Sequence, residues 1–174
     1  MFKKYLVLFT IIFPIGSIFI LYNLGYRWNH STSYPKGIYQ LTVKNKYYQK
    51  GQLVLFCPPN NSALQLALKR KYLRNGMCNG GFEPVIKKIY GIENDKISFK
   101  NSIITINSLH IPDTKILAYD IHNRPLPKLN NFTVPKKFYF LLSDHQPKIS
   151  FDSRYYGAVP IENIKGIIIP IYLY

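Results

Sequence analysis

Acidic residues are few: eight Asp and Glu stand against 23 Lys and Arg, a formal charge of +15 over 174 residues. Cysteine is scarcer still. The two present, Cys57 and Cys78, form no CxxC pair, so thioredoxin-type chemistry and a zinc site both lack their ligands. No zinc finger, RRM signature or basic helix occurs, and apart from Lys69-Arg70-Lys71 the basic residues are scattered. A nucleic-acid partner is therefore not expected. Repeats and low-complexity tracts are missing, and no Pro/Gly/Ser-rich stretch marks a second domain boundary. Nothing in the residue pattern asks for a metal or a cofactor.

What remains is rich in strand formers. Fifteen Tyr and 11 Phe join many Ile and Val, a composition that favours β structure. Short apolar runs at Gly37–Val43, Gln52–Phe56, Ile97–Ile106 and Phe138–Leu142 read as strands between Pro, Gly and Asn turns. Ser62 to Leu73 has apolar residues at helical spacing, with Ser62 as a candidate N-cap. Ile164 to Tyr174 is too short to cross a membrane as a helix and reads as a last core strand. The expected fold is mainly β, an antiparallel domain with one short helix.

The N-terminus is different. Tyr5 to Leu24 carries no formal charge and is long enough for a transmembrane helix. Lys3 and Lys4 precede it, which puts the N-terminus in the cytoplasm by the positive-inside rule. Apolar residues continue past Gly16-Ser17 without a small-x-small cleavage site, so an uncleaved anchor is expected rather than a removed signal. The resulting organisation is 1–4 cytoplasmic, 5–24 spanning and 25–174 exported. Scattered Lys beside an anionic bilayer contribute about 1 kcal/mol each to adhesion. Outside the cytoplasm the two cysteines can pair, stabilising by about 3 kcal/mol; two buried free thiols are the other reading.

Three groups carry possible chemistry. Ser31-Thr32-Ser33-Tyr34-Pro35-Lys36-Gly37 reads locally as a turn before a strand. Val85 to Gly91 places Lys87 and Lys88 in an apolar strand, where alternation sends one side chain inward and the other outward. A desolvated lysine favours its neutral form, which can act as a general base. The third group is Ser143-Asp144-His145 followed by Ser150-Phe151-Asp152-Ser153-Arg154-Tyr155-Tyr156-Gly157, polar residues between apolar strands. Within it Asp152 and Arg154 suit an ion pair, and His145 invites a Ser-His-Asp arrangement.

Together, in this order and behind an apolar N-terminus, the groups resemble the type I signal peptidase superfamily, most closely its TraF branch. The resemblance runs over nearly the whole chain: Ser33-Tyr34-Pro35-Lys36-Gly37-Ile38-Tyr39, Leu55-Phe56-Cys57-Pro58-Pro59, Cys78-Asn79-Gly80-Gly81, Ile86-Lys87-Lys88-Ile89, Arg124-Pro125-Leu126-Pro127 and the Ser143 to Gly157 box. It implies a Ser/Lys peptidase with Ser33 as nucleophile and Lys87 as general base, needing no metal or cofactor. Ser31 then supplies an oxyanion donor beside the Ser33 N–H, Ser150 orients the lysine, and Asp152 and Arg154 support the site. Tyr34 leads directly to Pro35, and Ser143-Asp144-His145 replaces the glycine-aspartate-asparagine run of general signal peptidases. The implied setting is the bacterial inner membrane, with a periplasmic domain that trims or cyclises a prepilin beside other conjugation components. A general signal peptidase, a non-catalytic pilus assembly factor and a Ser/His hydrolase using His145 are the competing readings.

Overall fold

The computed structural model describes residues 2–100 and 102–174, with side chains from Phe13 onward. The expected N-terminal run is helical as far as Asn23, in α1 (Phe2–Asn23), a helix of 22 residues that contains Pro14. Among the described residues no helix is long and apolar enough to cross a membrane. The finding at this end is therefore the helix alone. Arg27 fastens the helix end, its guanidinium donating to the Tyr22 carbonyl at 2.7 Å and lying 3.8 Å from the Tyr22 ring centre. Gly25 makes the turn at φ +89°, where an added Cβ would sit 2.4 Å from the Leu41 carbonyl oxygen. No larger residue fits there.

Antiparallel pairing dominates the rest. Seven strands form one sheet, in the order β1 (Tyr26–Asn29), β2 (Gly37–Leu41), β11 (Ile164–Leu173), β3 (Leu53–Phe56), β4 (Val85–Gly91), β9 (Phe138–Leu142) and β10 (Val159–Pro160). A second sheet of four runs β7 (Leu109–His110), β6 (Ile103–Ile106), β5 (Lys96–Lys100) and β8 (Phe132–Thr133). The mainly β, antiparallel expectation is met. The run expected as one strand over Ile97–Ile106 is a hairpin, β5 and β6, with Ser102 at φ 60° in its turn. Asn101, within that run, lies outside the described residues.

Three buried apolar clusters hold the sheets. Val54, Phe56, Leu64, Phe82, Ile89 and Leu141 belong to the largest, Ile97, Ile104 and Phe140 to a second, and Tyr34, Tyr39, Leu55, Ile86 and Ile168 to a third. Burying each large apolar side chain contributes about 1.5–3 kcal/mol. β11 joins the sheet's two halves: its first residues pair with β3 and its later ones with β2. Only the first half is buried, so the expected core strand becomes an exposed edge beyond Ile168.

The short helix α2 (Ser62–Lys69) is capped by Asn61, whose side chain accepts from the Leu64 N–H, and not by Ser62. It ends early because Lys71 adopts φ 62° and the chain turns into the loop bearing Cys78. Two further short helices are present, α3 (Ser153–Tyr156) and a 3-10 turn over Ile161–Asn163. Cys57 and Cys78 are joined by a disulfide, which decides between the two cysteine readings.

Candidate active site

β4 lies between β3 and β9, and its alternation separates the two adjacent lysines. Lys87 pairs across from Val54, shares the face of the largest core and is 2% exposed. Lys88 points the other way, into an ion pair with Asp144. Isoleucines lock this register, because Ile86 and Ile89 fill different clusters on opposite faces.

The Lys87 ammonium donates to the Ser150 hydroxyl at 2.5 Å. Burial lowers its pKa from 10.5 to about 8, Asp152 pulling upward and Arg154 adding to the fall. An amine in this state is neutral often enough near pH 8 to take up a proton. The nearest charges are already spoken for. Asp152 accepts from the Arg154 side chain at 2.7 and 2.8 Å, and both residues are fully buried. Burial works against the Arg154 cation, but the Asp152 carboxylate outweighs it and raises the pKa.

Arg154 also ties two loops together. Its guanidinium donates to the carbonyls of Lys115, Pro147 and Ser150. Asp152 in turn caps α3 and accepts from the Ser143 N–H at 3.3 Å, while the Ser143 hydroxyl donates to the Ser33 carbonyl at 2.8 Å. One path of hydrogen bonds thus links Ser33, Ser143, Asp152, Arg154, Ser150 and Lys87. The Ser33 hydroxyl is not itself bonded to Lys87 among the described residues.

Ser31 does not hold a free donor. Both its N–H and its hydroxyl donate to the Asn29 side-chain oxygen, at 3.1 and 2.7 Å. The Asn29 amide donates to the Tyr34 and Pro35 carbonyls, so one buried side chain shapes the whole loop. Tyr34 is buried and donates to Asp144, which also receives Lys88. Burial first, then the Asp144 contact, pushes the Tyr34 phenol far above its usual range. Burial tends to raise Asp144, yet Lys88 and Tyr34 hold it below the ordinary carboxylate value. His145 stacks on Tyr34 with ring centres 6.3 Å apart and makes no hydrogen bond to Ser33 among the described residues.

Asn29 and the Ser143 tie are what sequence reasoning missed. Asn29 had a signal, an amide side chain just ahead of a turn of hydroxyls. Ser143 had none, for its bond spans 110 positions.

The model of the family described as "Signal peptidase, peptidase S26" matches residues 1–173. The chain belongs to the signal peptidase family. Within it, similar proteins include a "Probable conjugal transfer protein TraF" from Sinorhizobium fredii (strain NBRC 101917 / NGR234), 32% identical over 88% of this chain and 80% of that protein. A "Conjugal transfer protein TraF" from Agrobacterium fabrum (strain C58 / ATCC 33970) is 31% identical over 86% and 84%. A "Signal peptidase I" from Buchnera aphidicola subsp. Acyrthosiphon pisum (strain APS) is 40% identical over 42% of this chain and 22% of that one. Among solved structures, a signal peptidase I from Enterococcus faecalis V583 aligns with TM-score 0.41 and 18% identity, over 72% of this chain and 98% of that one. The family makes this chain a serine peptidase of the signal peptidase type.

Proposed function

We propose that this signal peptidase family member is a Ser33/Lys87 endopeptidase that removes a leader segment from a conjugative pilin precursor at the inner membrane. The observation that carries it is Lys87: a buried amine with a lowered pKa, held on a serine hydroxyl and not on a carboxylate. A lysine kept only for stability would sit in an ion pair or in water.

In this reading neutral Lys87 takes the Ser33 proton, and Ser33 Oγ attacks the scissile carbonyl. The oxyanion receives the Ser33 N–H and, once it turns from Asn29, the Ser31 hydroxyl, at about 3 kcal/mol per donor. As the C–N bond breaks, the proton held on Lys87 passes to the departing amine, leaving an acyl ester on Ser33. Water, or an amine of the pilin itself, then releases the ester. Ser150 keeps the Lys87 amine aimed, and Asp152 with Arg154 keeps Ser150 in place.

Helix α1, continued to Leu24, serves as the anchor, with 1–4 cytoplasmic and 25–174 periplasmic. The TraF-named relatives and the paired Cys57 and Cys78 support the conjugative and exported parts of the reading. The test is the intact mass of the pilin encoded alongside, co-expressed with wild type, Ser33→Ala or Lys87→Ala. Mass loss with wild type alone supports the dyad. Unchanged pilin in every strain sinks the assignment, and processing that persists in Ser33→Ala favours a non-catalytic assembly role.

A further inference from the structure

Neither the basic run Lys69-Arg70-Lys71 nor the run Arg124-Pro125-Leu126-Pro127 supplies a group to the cleavage step, yet the fold brings the two together. The second lies in the connection from β7 to β8, which folds back on itself between Tyr119 and Pro125. Asp120 closes that turn. It accepts from the N–H groups of His122 and Arg124 at 2.9 and 2.8 Å, and from Arg124 Nε at 2.6 Å. It also receives the hydroxyl of Tyr72, just past α2. Arg70, the C-cap of α2, donates to the Pro125 carbonyl at 2.7 Å. A carboxylate has about four acceptor positions. Those of Asp120 are filled by its own clasp, and its side chain is 7% exposed, which leaves nothing for a ligand.

The clasped connection reaches the candidate active site by two routes. Ahead of the turn, the Lys115 carbonyl accepts from Arg154 Nη1 at 3.0 Å, and the Leu117 N–H donates to the Tyr155 hydroxyl at 3.2 Å. Arg154 in turn holds the Ser150 carbonyl at 3.0 Å. On the second route, the Tyr72 ring lies 5.4 Å from that of Phe151, which stacks on Tyr155 at 5.1 Å. Phe151 directly follows Ser150. Both routes end on the serine whose hydroxyl receives the Lys87 amine.

We propose that Asp120, Arg124 and Tyr72 are positioning residues for the Ser33/Lys87 reaction: their clasp fixes Arg154 and Phe151, and through them the Ser150 hydroxyl and the Lys87 amine. This rests on the reading of Lys87 as the peptidase base. None of the three touches the reacting atoms, but a small misplacement of a catalytic group costs rate even when its cause lies far away. β3 places Val54 opposite Lys87, and the charges acting on the amine are Asp152 and Arg154. Burial outweighs both and favours the neutral form. A loosened clasp admits water and restores the charged form. Loss of the Asp120 charge by itself would act in the opposite direction.

The experiment follows kcat/KM from pH 6 to 10 for the full-length protein in detergent, acting on the pilin precursor encoded alongside. Urea unfolding at pH 7 checks that each variant is folded. Wild type should rise to a plateau with its midpoint near pH 8. Asp120→Ala should move that midpoint up by about one pH unit. Cleavage then falls about tenfold at pH 7 and returns to near the wild-type level at pH 10. Tyr72→Phe deletes one hydroxyl and keeps the ring on Phe151. It should move the midpoint the same way by less, and it decides the matter if Asp120→Ala does not fold. A midpoint that stays at the wild-type value, whatever the rate, makes the clasp structural only and overturns the proposal. A midpoint that moves down overturns it too, since charge and not position would then be acting. No cleavage by wild type at any pH overturns the peptidase reading, and the clasp's part in the reaction falls with it.

Discussion

At the scale of single residues, the proposed role of Lys87 ties activity and stability to the same proton. If it is the base, kcat/KM rises about tenfold per pH unit below 8 and levels off above. A profile flat from pH 6 to 9 would remove Lys87 from that role. Stability runs in the same direction. With the folded pKa lowered to about 8 and the unfolded one near 10.5, the unfolded chain binds more protons between those values. Stability from this group therefore climbs as pH rises through 8 to 10.5 and is absent below 8. Lys87→Met should abolish cleavage yet raise stability at pH 7 by on the order of 3 kcal/mol, a gain that shrinks toward pH 10.5. Chemical denaturation at both pH values checks it. Arg154 is the opposite case. Arg154→Met leaves the Asp152 carboxylate buried alone and should cost about 3–5 kcal/mol, with Asp152→Asn restoring part. At this scale the sequence was legible where one residue's neighbours along the chain decide its fate. Strand alternation separated Lys87 from Lys88. It could not show that Ser143 reaches Ser33, since that contact depends on where loops meet.

Among the elements, a strand was most readable where one run of residues makes one strand. Phe138–Leu142 has the bounds expected of it. Ile97–Ile106 does not, because apolar content alone cannot show the reversal that Ser102 permits at positive φ. The last strand shows a second limit. An apolar run reports that its residues avoid water without saying what covers them, and the later half of β11 pairs with β2 while its side chains stay open. The connection from β3 to β4 carries the disulfide, which closes 21 residues. Cys57→Ser with Cys78→Ser should lower unfolding free energy by about 3 kcal/mol, measured in urea. An unchanged midpoint would mean that the connection is held by Phe82 and Leu64 alone.

For the molecule as a whole, the charge of +15 and the N-terminal helix make one prediction together. If the helix is an anchor, moving the full chain from detergent into anionic vesicles should raise the cleavage rate of membrane-held precursor relative to a short soluble peptide. Confinement to one surface raises effective concentration for the first substrate alone. Added salt should erode the part due to charge. Equal rates for both substrates in both settings would remove the anchor's role. At this scale the sheet architecture followed from composition and turns, whereas the division into two sheets with β11 spanning the halves of the larger did not. That division rests on long-range pairing, which no local run encodes.

The adjacent lysines of β4 have one more consequence. Strand geometry reads residues in a frame of two, and here both letters of the frame are the same amino acid. A one-residue slip would still present an amine to each face, so the chemistry tolerates a misreading. The packing does not, because the same slip would turn Ile86 and Ile89 out of their clusters. Frame fidelity in this strand is enforced by its oily neighbours and not by the amines.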